Sequence, residues 1–430
     1  MSQSAPFSAY AAPNSPVSAR ISLQPGRGNL LDELMAMGAF VIMPLGFPMA
    51  QPLRLPFTIL LILWLGMNWR SILPVVRKGW PLFVLPVLCL LSALWADNMM
   101  VAIRYGALFS LAMLFAAGVA SRLDARQVAV AIVCGQGMLA VASALTGTRE
   151  WIGGADGGFA LIGVFPHKNI LAQHMVILSI AALSVTLSSQ CRPVLRLLSA
   201  CILAVALGLI AQALSATAIL LLAGAIPLGL GLVLIWRPAV HIRGLRPALV
   251  LGGIAVMTFG LLVLTNFYGV NLIEDTLGAF GKDQSLTGRT VIWAAGNEAI
   301  SKHPLLGVGA GNFWLADNFT AVRLADQFYS SDGQFRFHNA YYETTVHLGL
   351  IGLLAAIYTY VRGGMLTFGS WWRNQERADI FFLLIVVVLL IRSFTESELF
   401  YALALGPMLF WTAAFTSLME KPSQGRPAIS

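Results

Sequence analysis

Arg289 lies where a cation could bind a phosphate group. It opens the segment 289–301, whose apolar residues recur at roughly helical spacing, and Trp293 suits a membrane–water interface. This pattern predicts an amphipathic helix on the outer leaflet, with Thr287 as its N-cap and Pro304 as its stop. Because the first turn of a helix attracts anions, a cation there costs free energy unless an anion is bound. A phosphate clamp and a lipid-headgroup anchor both fit Arg289.

A second group of polar residues begins at His338, just ahead of a long apolar run. A neutral imidazole at a helix start could take a proton from a sugar hydroxyl, and a protonated imidazole could bind phosphate. In either form, the side chain could instead only cap the helix. Asn339, Glu343 and His347 follow at intervals of four residues, so they share one helical face. Since that face cannot contact lipid tails, it is expected to line a cavity.

Three more features could serve an anion. His167 and Lys168 begin another apolar run, where they fit either phosphate binding or anchoring at the interface. The glycine-rich stretch 307–311 fits either an anion-binding nest or a plain turn. Arg336 is a further cation close to His338 in the chain.

The elements that must position these residues are apolar. The chain has 430 residues, of which 58% are hydrophobic and only 11% charged, whereas soluble domains carry about 25% charged residues. So few charges cannot cover a surface that faces water. Long apolar runs approach or reach the roughly 20 residues that cross a bilayer core, and in hydrocarbon such spans must be helical. The sequence therefore predicts an all-α membrane protein.

About twelve transmembrane helices are expected from the lengths of the apolar runs. Residues 1–33 form a cytoplasmic tail rich in Ser, Pro and Ala, which is expected to be disordered. Helices 1–9 occupy 34–266, a large external loop with the amphipathic helix covers 267–339, helices 10–12 occupy 340–418, and 419–430 is a second cytoplasmic tail. The individual spans are approximately 34–50, 56–69, 80–95, 105–120, 128–146, 170–189, 197–213, 215–235, 248–266, 340–361, 380–393 and 398–418.

Lys and Arg residues orient the predicted spans. If the N-terminus is cytoplasmic, most of the 27 Lys and Arg residues lie on the cytoplasmic side, as the positive-inside rule requires. Both termini are therefore expected in the cytoplasm, and loop 267–339 outside it. The net charge of +8 then reflects topology and not nucleic-acid binding. The four cysteines lie in or beside apolar runs, so neither disulfides nor structural zinc is expected.

Ionisable groups are rare in the predicted spans. Those that occur lie near span ends: Arg104, Glu343, His347, Arg392, Glu396 and Glu398. A proton-coupled transporter usually places such groups deep in its spans. A loop as long as 267–339 also needs a structure or function of its own. These features favour chemistry at the outer membrane–water interface over transport.

Three separated patches resemble the O-antigen ligase and Wzy-type polysaccharide polymerase superfamily. They are 163–172, 287–313 and 338–352, with a Gly-Arg helix start, a His-Pro-Leu-Leu-Gly-x-Gly turn and a His-Asn helix start. The stretch 92–97, followed by Arg104, is also similar to the family. The resemblance covers most of the chain. It implies a C-type glycosyltransferase that works outside the cytoplasm on a sugar chain linked to polyprenyl pyrophosphate.

The resemblance also implies roles for the polar residues. Arg289 and His338 match the essential Arg and His of the family: the guanidinium would clamp the leaving pyrophosphate, and the imidazole would act as general base or second phosphate ligand. Glu343 would orient His338 or hydrogen-bond the acceptor. The expected substrate-binding residues are His167, Lys168, Asn169, Arg336 and Asn339. Because cations take over the task of a metal, no metal and no other cofactor is expected.

The sequence favours a polymerase that joins lipid-linked oligosaccharide repeats into a surface polysaccharide in the bacterial inner membrane. Membrane lipids and other polysaccharide assembly and export proteins are its expected partners, and nucleic acid is not. Ligases of the superfamily typically place a further Arg in the stretch matching 211–219, which here has neither Arg nor Lys. The patch 167–169 offers a replacement, or Arg104 or Arg149 serves instead. An O-antigen ligase, a lipid-linked sugar transporter and an inactive scaffold are the alternatives.

Overall fold

A computed structural model describes residues 28–42, 51–152, 158–266, 289–327, 336–374 and 377–420 of this chain. The first helices are α1 Leu30–Ile42, α2 Gln51–Met67, α3 Trp69–Leu94, α4 Met99–Arg122, α5 Ala125–Thr146, α6 Lys168–Leu187, α7 Pro193–Ala213, α8 Ala216–Trp236 and α9 Leu245–Asn266. Then follow α10 Arg289–Lys302, α11 Phe319–Gln327, α12 Ala340–Asn374, α13 Arg377–Arg392 and α14 Leu405–Met419. Strands β1 Arg149–Ile152 and β2 Gly158–Leu161 pair as an antiparallel hairpin.

The predicted class, an all-α membrane protein, is confirmed, and within the described ranges the β1–β2 hairpin is the exception. Seven of the described helices are long and apolar enough to cross a membrane, and three shorter helices are also apolar. The protein is therefore a multi-pass membrane protein. Each of the twelve predicted spans overlaps a helix, but the number that crosses the membrane stays a prediction. Most of the N-terminal tail, residues 421–430 and the proposed cap Thr287 lie outside the described residues.

The last predicted span began too early. Residues 398–400 form a short 3-10 turn, and α14 starts only at Leu405. The cause is the Glu398 carboxylate, which pairs with Arg392 at 3.5 Å and accepts the backbone N–H of Gly406 at 2.8 Å. This carboxylate holds the chain in a compact loop before α14 begins.

Asp32 ties three helix ends together at one side of the bundle. Its carboxylate accepts the indole N–H of Trp64 at 2.9 Å and lies 3.0 Å from both Nε and Nη2 of Arg122. The side chain of Asp32 is almost fully buried, so these charge-assisted bonds replace the water it has lost. The start of α1 and the ends of α2 and α4 therefore lie side by side, as the alternating direction of the predicted spans requires.

Helix α12 is broken at Gly349, and the glycine-rich turn fills the break. Gly349 has φ 64° and ψ −163°, a backbone conformation essentially confined to glycine. Val308 and Gly309 donate their N–H groups to carbonyls at the end of the first half-helix, at 3.1 and 2.9 Å. The carbonyls of Pro304 and Leu305 accept N–H groups at the start of the second half. Interrupted backbone far from water persists only with such internal partners.

This arrangement decides between the two interpretations of stretch 307–311. The N–H groups of Gly307, Val308 and Gly309 bond to protein carbonyls, and that of Ala310 bonds to the Ser92 hydroxyl at 2.9 Å. They are therefore not free to bind an anion. The stretch is a structural turn, and the nest interpretation is wrong.

We expect Gly349→Ala to destabilise the protein by at least about 3 kcal/mol, because alanine is strained in this conformation and its Cβ would overlap the Leu305 carbonyl. Gly369→Ala is the matched control, since Gly369 lies in the same α12 and an added Cβ there meets only the end of the Arg373 side chain. Thermal unfolding of the purified proteins checks this. Equal unfolding midpoints for both variants would contradict the role of the break.

Candidate active site

The structure brings Arg289 and His338 together on one carboxylate, that of Glu396. Nη2 of Arg289 lies 3.8 Å from Oε1 of Glu396, and Nδ1 of His338 lies 2.9 Å from Oε2. These residues come from the start of α10, the segment before α12 and the loop after α13. The His338 side chain is 35% exposed and that of Arg289 20%, so a ligand could reach both. Sequence reasoning noted Glu396 as a polar residue near a span end but assigned it no role.

Backbone hydrogen bonds hold the start of α12 against loop 393–397. Asn339 donates its N–H to the Ser397 hydroxyl at 3.1 Å, and Ala340 donates its N–H to the Ser393 carbonyl at 2.8 Å. Such bonds satisfy the donors that a helix start leaves unpaired. They also fix the register between the two segments, which places the histidine beside the carboxylate. Asn339, predicted to bind substrate, thus contributes to the framework of the site.

His338 adopts a left-handed backbone conformation, with φ of 52°, which is uncommon outside glycine. Phe337, just before it, is held at both of its backbone groups. Its N–H donates to Glu343 at 2.8 Å, and its carbonyl accepts the indole N–H of Trp293 at 2.8 Å. Residues in such strained conformations persist only where the surroundings impose them, and they cluster at functional sites.

Trp293 packs against the start of α12. Its ring stacks on Tyr342, with centroids 5.8 Å apart. With Ile292, Phe313 and Phe337 these residues belong to a small apolar cluster under the site. Helix α10 therefore lies on the start of α12, which is why its first residue, the expected phosphate clamp, sits at the site.

The site is charged although it is largely buried. Burial favours the neutral acid, but the hydrogen bond from His338 and the charges of Arg392 and Arg289 hold the pKa of Glu396 at about 2. Burial lowers the pKa of Arg289, and the carboxylate of Glu396 opposes that change. Glu396 is therefore an anion at neutral pH.

The pairing has a chemical consequence for His338. Because the carboxylate of Glu396 accepts a hydrogen bond from Nδ1–H, the other nitrogen of the neutral ring, Nε2, has a lone pair that can accept a proton. A carboxylate that holds an imidazole in this way also stabilises the imidazolium that forms on proton transfer. Arg289 stands beside the same carboxylate, where its guanidinium could bind the oxygens of a departing phosphate.

Glu343 does not contact the His338 ring, contrary to the expectation that it orients this side chain directly. Its carboxylate is fully buried and accepts hydrogen bonds from Trp314, Phe337, Ser397 and His347. The face shared by Asn339, Glu343 and His347 was expected to line a cavity, but Glu343 and His347 are buried. Donors from neighbouring segments fill the space around the carboxylate, so the face lies inside the protein.

His167, Lys168 and Asn169 lie at the start of α6, where they contact the stretch 211–219. Lys168 Nζ donates to the Leu214 carbonyl at 3.4 Å, and the Ser215 hydroxyl donates to Asn169 Oδ1 at 3.2 Å. His167 caps α6 by accepting the N–H of Asn169 on Nδ1, at 3.2 Å. This capping role was not assigned to His167 from the sequence.

The His167 ring is also close to the β1–β2 hairpin. Its Nε2 lies 3.5 Å from the carboxylate of Glu150 in β1. Burial lowers the pKa of His167, while the carboxylates of Glu150 and Glu396 raise it. The charge of Glu396 therefore acts on His167 as well as on its own site.

Arg149 and Arg336 have different surroundings. From β1, Arg149 donates to Gln212 Oε1 at 2.9 Å, so the cation-free stretch 211–219 is contacted by Arg149 as well as by Lys168. The guanidinium of Arg336 lies over the Tyr401 ring, 3.4 Å from its centroid, an arrangement that favours a cation. The structure thus places Arg336 against Tyr401, next to the site but not on its carboxylate.

Comparison with known proteins identifies the family. Residues 200–357 match the family described as O-antigen ligase. The exopolysaccharide production protein ExoQ of Rhizobium meliloti is 30% identical to this chain over 365 residues, which cover 82% of this chain and 80% of that protein. The chain belongs to the O-antigen ligase and Wzy-type polysaccharide polymerase family. Within that family match, the region 200–357 contains Arg289 and His338 and ends before Glu396.

We expect Glu396→Gln to lower the thermal unfolding midpoint at pH 7. In acid, the difference between the midpoints of the variant and the unchanged protein should shrink. The pKa of Glu396 falls from 4.5 to about 2 on folding. Its ionised form therefore stabilises the fold fully above about pH 4.5, and this stabilisation is lost as the pH falls toward 2. Thermal unfolding across this pH range measures it.

The matched control is Glu298→Gln, which breaks an exposed ion pair with Lys302 on α10. An exposed pair of this kind contributes little, so its midpoint is expected to change little at any pH. A Glu396→Gln difference that stays constant from pH 7 to pH 2 would contradict the ionised state of Glu396.

Proposed function

We propose that this protein polymerises oligosaccharide repeats linked to polyprenyl pyrophosphate into a bacterial surface polysaccharide. The observation that carries this proposal is the shared contact of Arg289 and His338 with Glu396. A phosphate-binding cation and a proton acceptor stand side by side, as glycosyl transfer from a pyrophosphate donor requires. The proposal includes the inner membrane as location, with both termini cytoplasmic and loop 267–339 outside.

In the proposed reaction, the oxygen of an acceptor hydroxyl forms a bond to the anomeric carbon of the donor sugar. The bond between that carbon and the phosphate oxygen breaks, and the pyrophosphate leaves with the electron pair. The hydroxyl proton passes to Nε2 of His338, while Glu396 stabilises the resulting imidazolium. Arg289 binds the pyrophosphate oxygens as their charge grows.

Its own cations would let the protein work without a metal ion. Arg289 is half of a 3.8 Å ion pair, so its guanidinium can turn from Glu396 to a pyrophosphate oxygen without losing a short hydrogen bond. Lys168 and Arg149 lie against the stretch 211–219, where ligases place their second Arg. They are suited to the role of that second Arg. Because they come from α6 and β1 and not from the stretch itself, they support a polymerase over a ligase.

The likeness to ExoQ, which is named as an exopolysaccharide production protein, favours the same choice. The match of residues 200–357 to the O-antigen ligase family favours the alternative, transfer of a finished polymer to lipid A core. A transporter for lipid-linked sugars is the alternative from another class. It is not supported by the clustering of Arg289, His338 and Glu396 at the ends of their segments.

Arg289→Ala and His338→Ala are each expected to lower the polymerisation rate by at least about 10²-fold, since each removes a group that acts in the transition state. Arg289→Lys should recover little activity, because an ammonium cannot make the paired contacts of a guanidinium. The assay follows chain growth by purified protein supplied with lipid-linked repeats, with and without EDTA.

The matched control is Arg323→Ala, which removes an exposed cation from α11 in the same external segment and should keep full activity. Full activity of either Ala variant at the site would remove that residue from the mechanism. Loss of activity in EDTA that returns with Mg²⁺ or Mn²⁺ would disprove the metal-independent mechanism.

A deletion strain separates the polymerase from the ligase. Loss of the polymerase should abolish the surface polymer or leave single repeats, while any separate O-antigen still reaches lipid A core. Electrophoresis of the extracted glycans and analysis of lipid-linked intermediates measure both products. Full-length polymer that accumulates on the lipid carrier, together with uncapped core, would identify a ligase instead.

A further inference from the structure

Glu343 binds the two segments that carry the site. Its Oε2 accepts the N–H of Phe337 at 2.8 Å and the hydroxyl of Ser397 at 2.9 Å. Phe337 directly precedes His338, and Ser397 directly follows Glu396. One buried carboxylate oxygen therefore holds both neighbours of the His338–Glu396 hydrogen bond.

Ser397 closes this arrangement from the other side. Its hydroxyl oxygen accepts the N–H of Asn339, the residue after His338, at 3.1 Å, while its proton goes to Glu343. The backbone before and after His338 is thus connected to the same hydroxyl–carboxylate pair. A shift of the carboxylate would move the imidazole and its partner relative to each other.

The second oxygen of Glu343 fixes the carboxylate itself. Oε1 accepts the indole N–H of Trp314 at 2.8 Å and contacts Nε2 of His347 at 3.2 Å. The other nitrogen of His347 lies 3.1 Å from the carbonyl of Gly309. The imidazole of His347 thus bridges the Glu343 carboxylate and the backbone of the glycine-rich turn.

His347 and Glu343 are buried together, with both side chains at most 2% exposed. Two polar side chains that have hydrogen-bond partners can be buried together, whereas either one left without a partner would be costly. Through Gly309 the pair also reaches the turn that fills the break in α12. The position of the carboxylate is thus connected to the hydrogen bonds that hold this turn in the break.

We propose that Glu343 is a positioning residue that sets the alignment of His338 with Glu396 from beneath the site, through Phe337 and Ser397. The meaning of this alignment for glycosyl transfer rests on the proposed function. Glu343 does not touch substrate, because its side chain is fully buried. It acts on the imidazole only through the backbone that carries it.

Glu343→Gln tests this while keeping the size of the side chain. An amide NH₂ in place of one carboxylate oxygen faces donors on either side and must leave some of them unpaired. We expect kcat to fall by about 10²-fold, because misplacement of a catalytic group by about 1 Å has that effect. The KM for lipid-linked donor should stay unchanged. Ser397→Ala removes the hydroxyl that links Glu343 to the backbone N–H of Asn339, so it should also lower kcat.

A second readout needs no activity. Diethyl pyrocarbonate acylates accessible neutral imidazole. Mass spectrometry measures the rate of acylation at His338 at a fixed pH. We expect this rate to rise in Glu343→Gln and in Ser397→Ala, because a misaligned imidazole loses its bond to Glu396. Thr359→Val is the matched control: it removes a buried hydroxyl of the same α12 that bonds only to carbonyls of its own helix.

The results separate the possibilities. An unchanged His338 rate in both site variants, or an equal rise in Thr359→Val, would overturn the positioning role. If Glu343→Gln fails to fold, Ser397→Ala reports on the same link. If His338→Ala polymerises normally while Glu343→Gln still changes the rate at His338, the proposed function fails and the positioning role stands.

Discussion

A carboxylate held away from water must find its donors within the protein, and in this chain two such groups organise the candidate active site. Glu396 is held as an anion by His338, Arg289 and Arg392, and Glu343 by four donors from its surroundings. Several of these donors come from segments distant in the chain, such as Arg289, Trp314 and Ser397, so satisfying the carboxylates also brings those segments together. The site therefore results from the same requirement that holds the loops in place.

The break in α12 follows from the same constraint on the backbone. A continuous helix would satisfy its own N–H and carbonyl groups but would leave no place for the turn that begins at Pro304. Gly349 opens the helix, and the turn supplies the missing donors and acceptors. This packs the turn into the bundle, so that α10 rests on the start of α12 with Arg289 beside Glu396.

Polymerases and ligases of this family face the same chemical problem, the departure of a pyrophosphate from a sugar. The stretch 211–219 carries no cation of its own, yet Lys168 and Arg149 reach it from α6 and β1. A positive charge at one place can come from several segments, because electrostatic attraction depends on distance and not on chain position. A cation missing from one stretch can therefore be supplied by a neighbouring element, as Lys168 and Arg149 show by contacting 211–219.

The sequence by itself determined the class and the approximate places of the apolar helices, and it singled out Arg289 and His338 as candidates, because apolar runs and cations at helix starts are local patterns. Only the tertiary structure decided which groups meet. Glu396 looked like an ordinary polar residue at a span end, and Glu343 like the partner of His338, since sequence spacing reports neighbours on one helix only. In the structure, Glu396 contacts the imidazole of His338, whereas Glu343 accepts the backbone N–H of Phe337, the residue before it. Contacts between distant segments depend on how helices pack, and no local pattern encodes that.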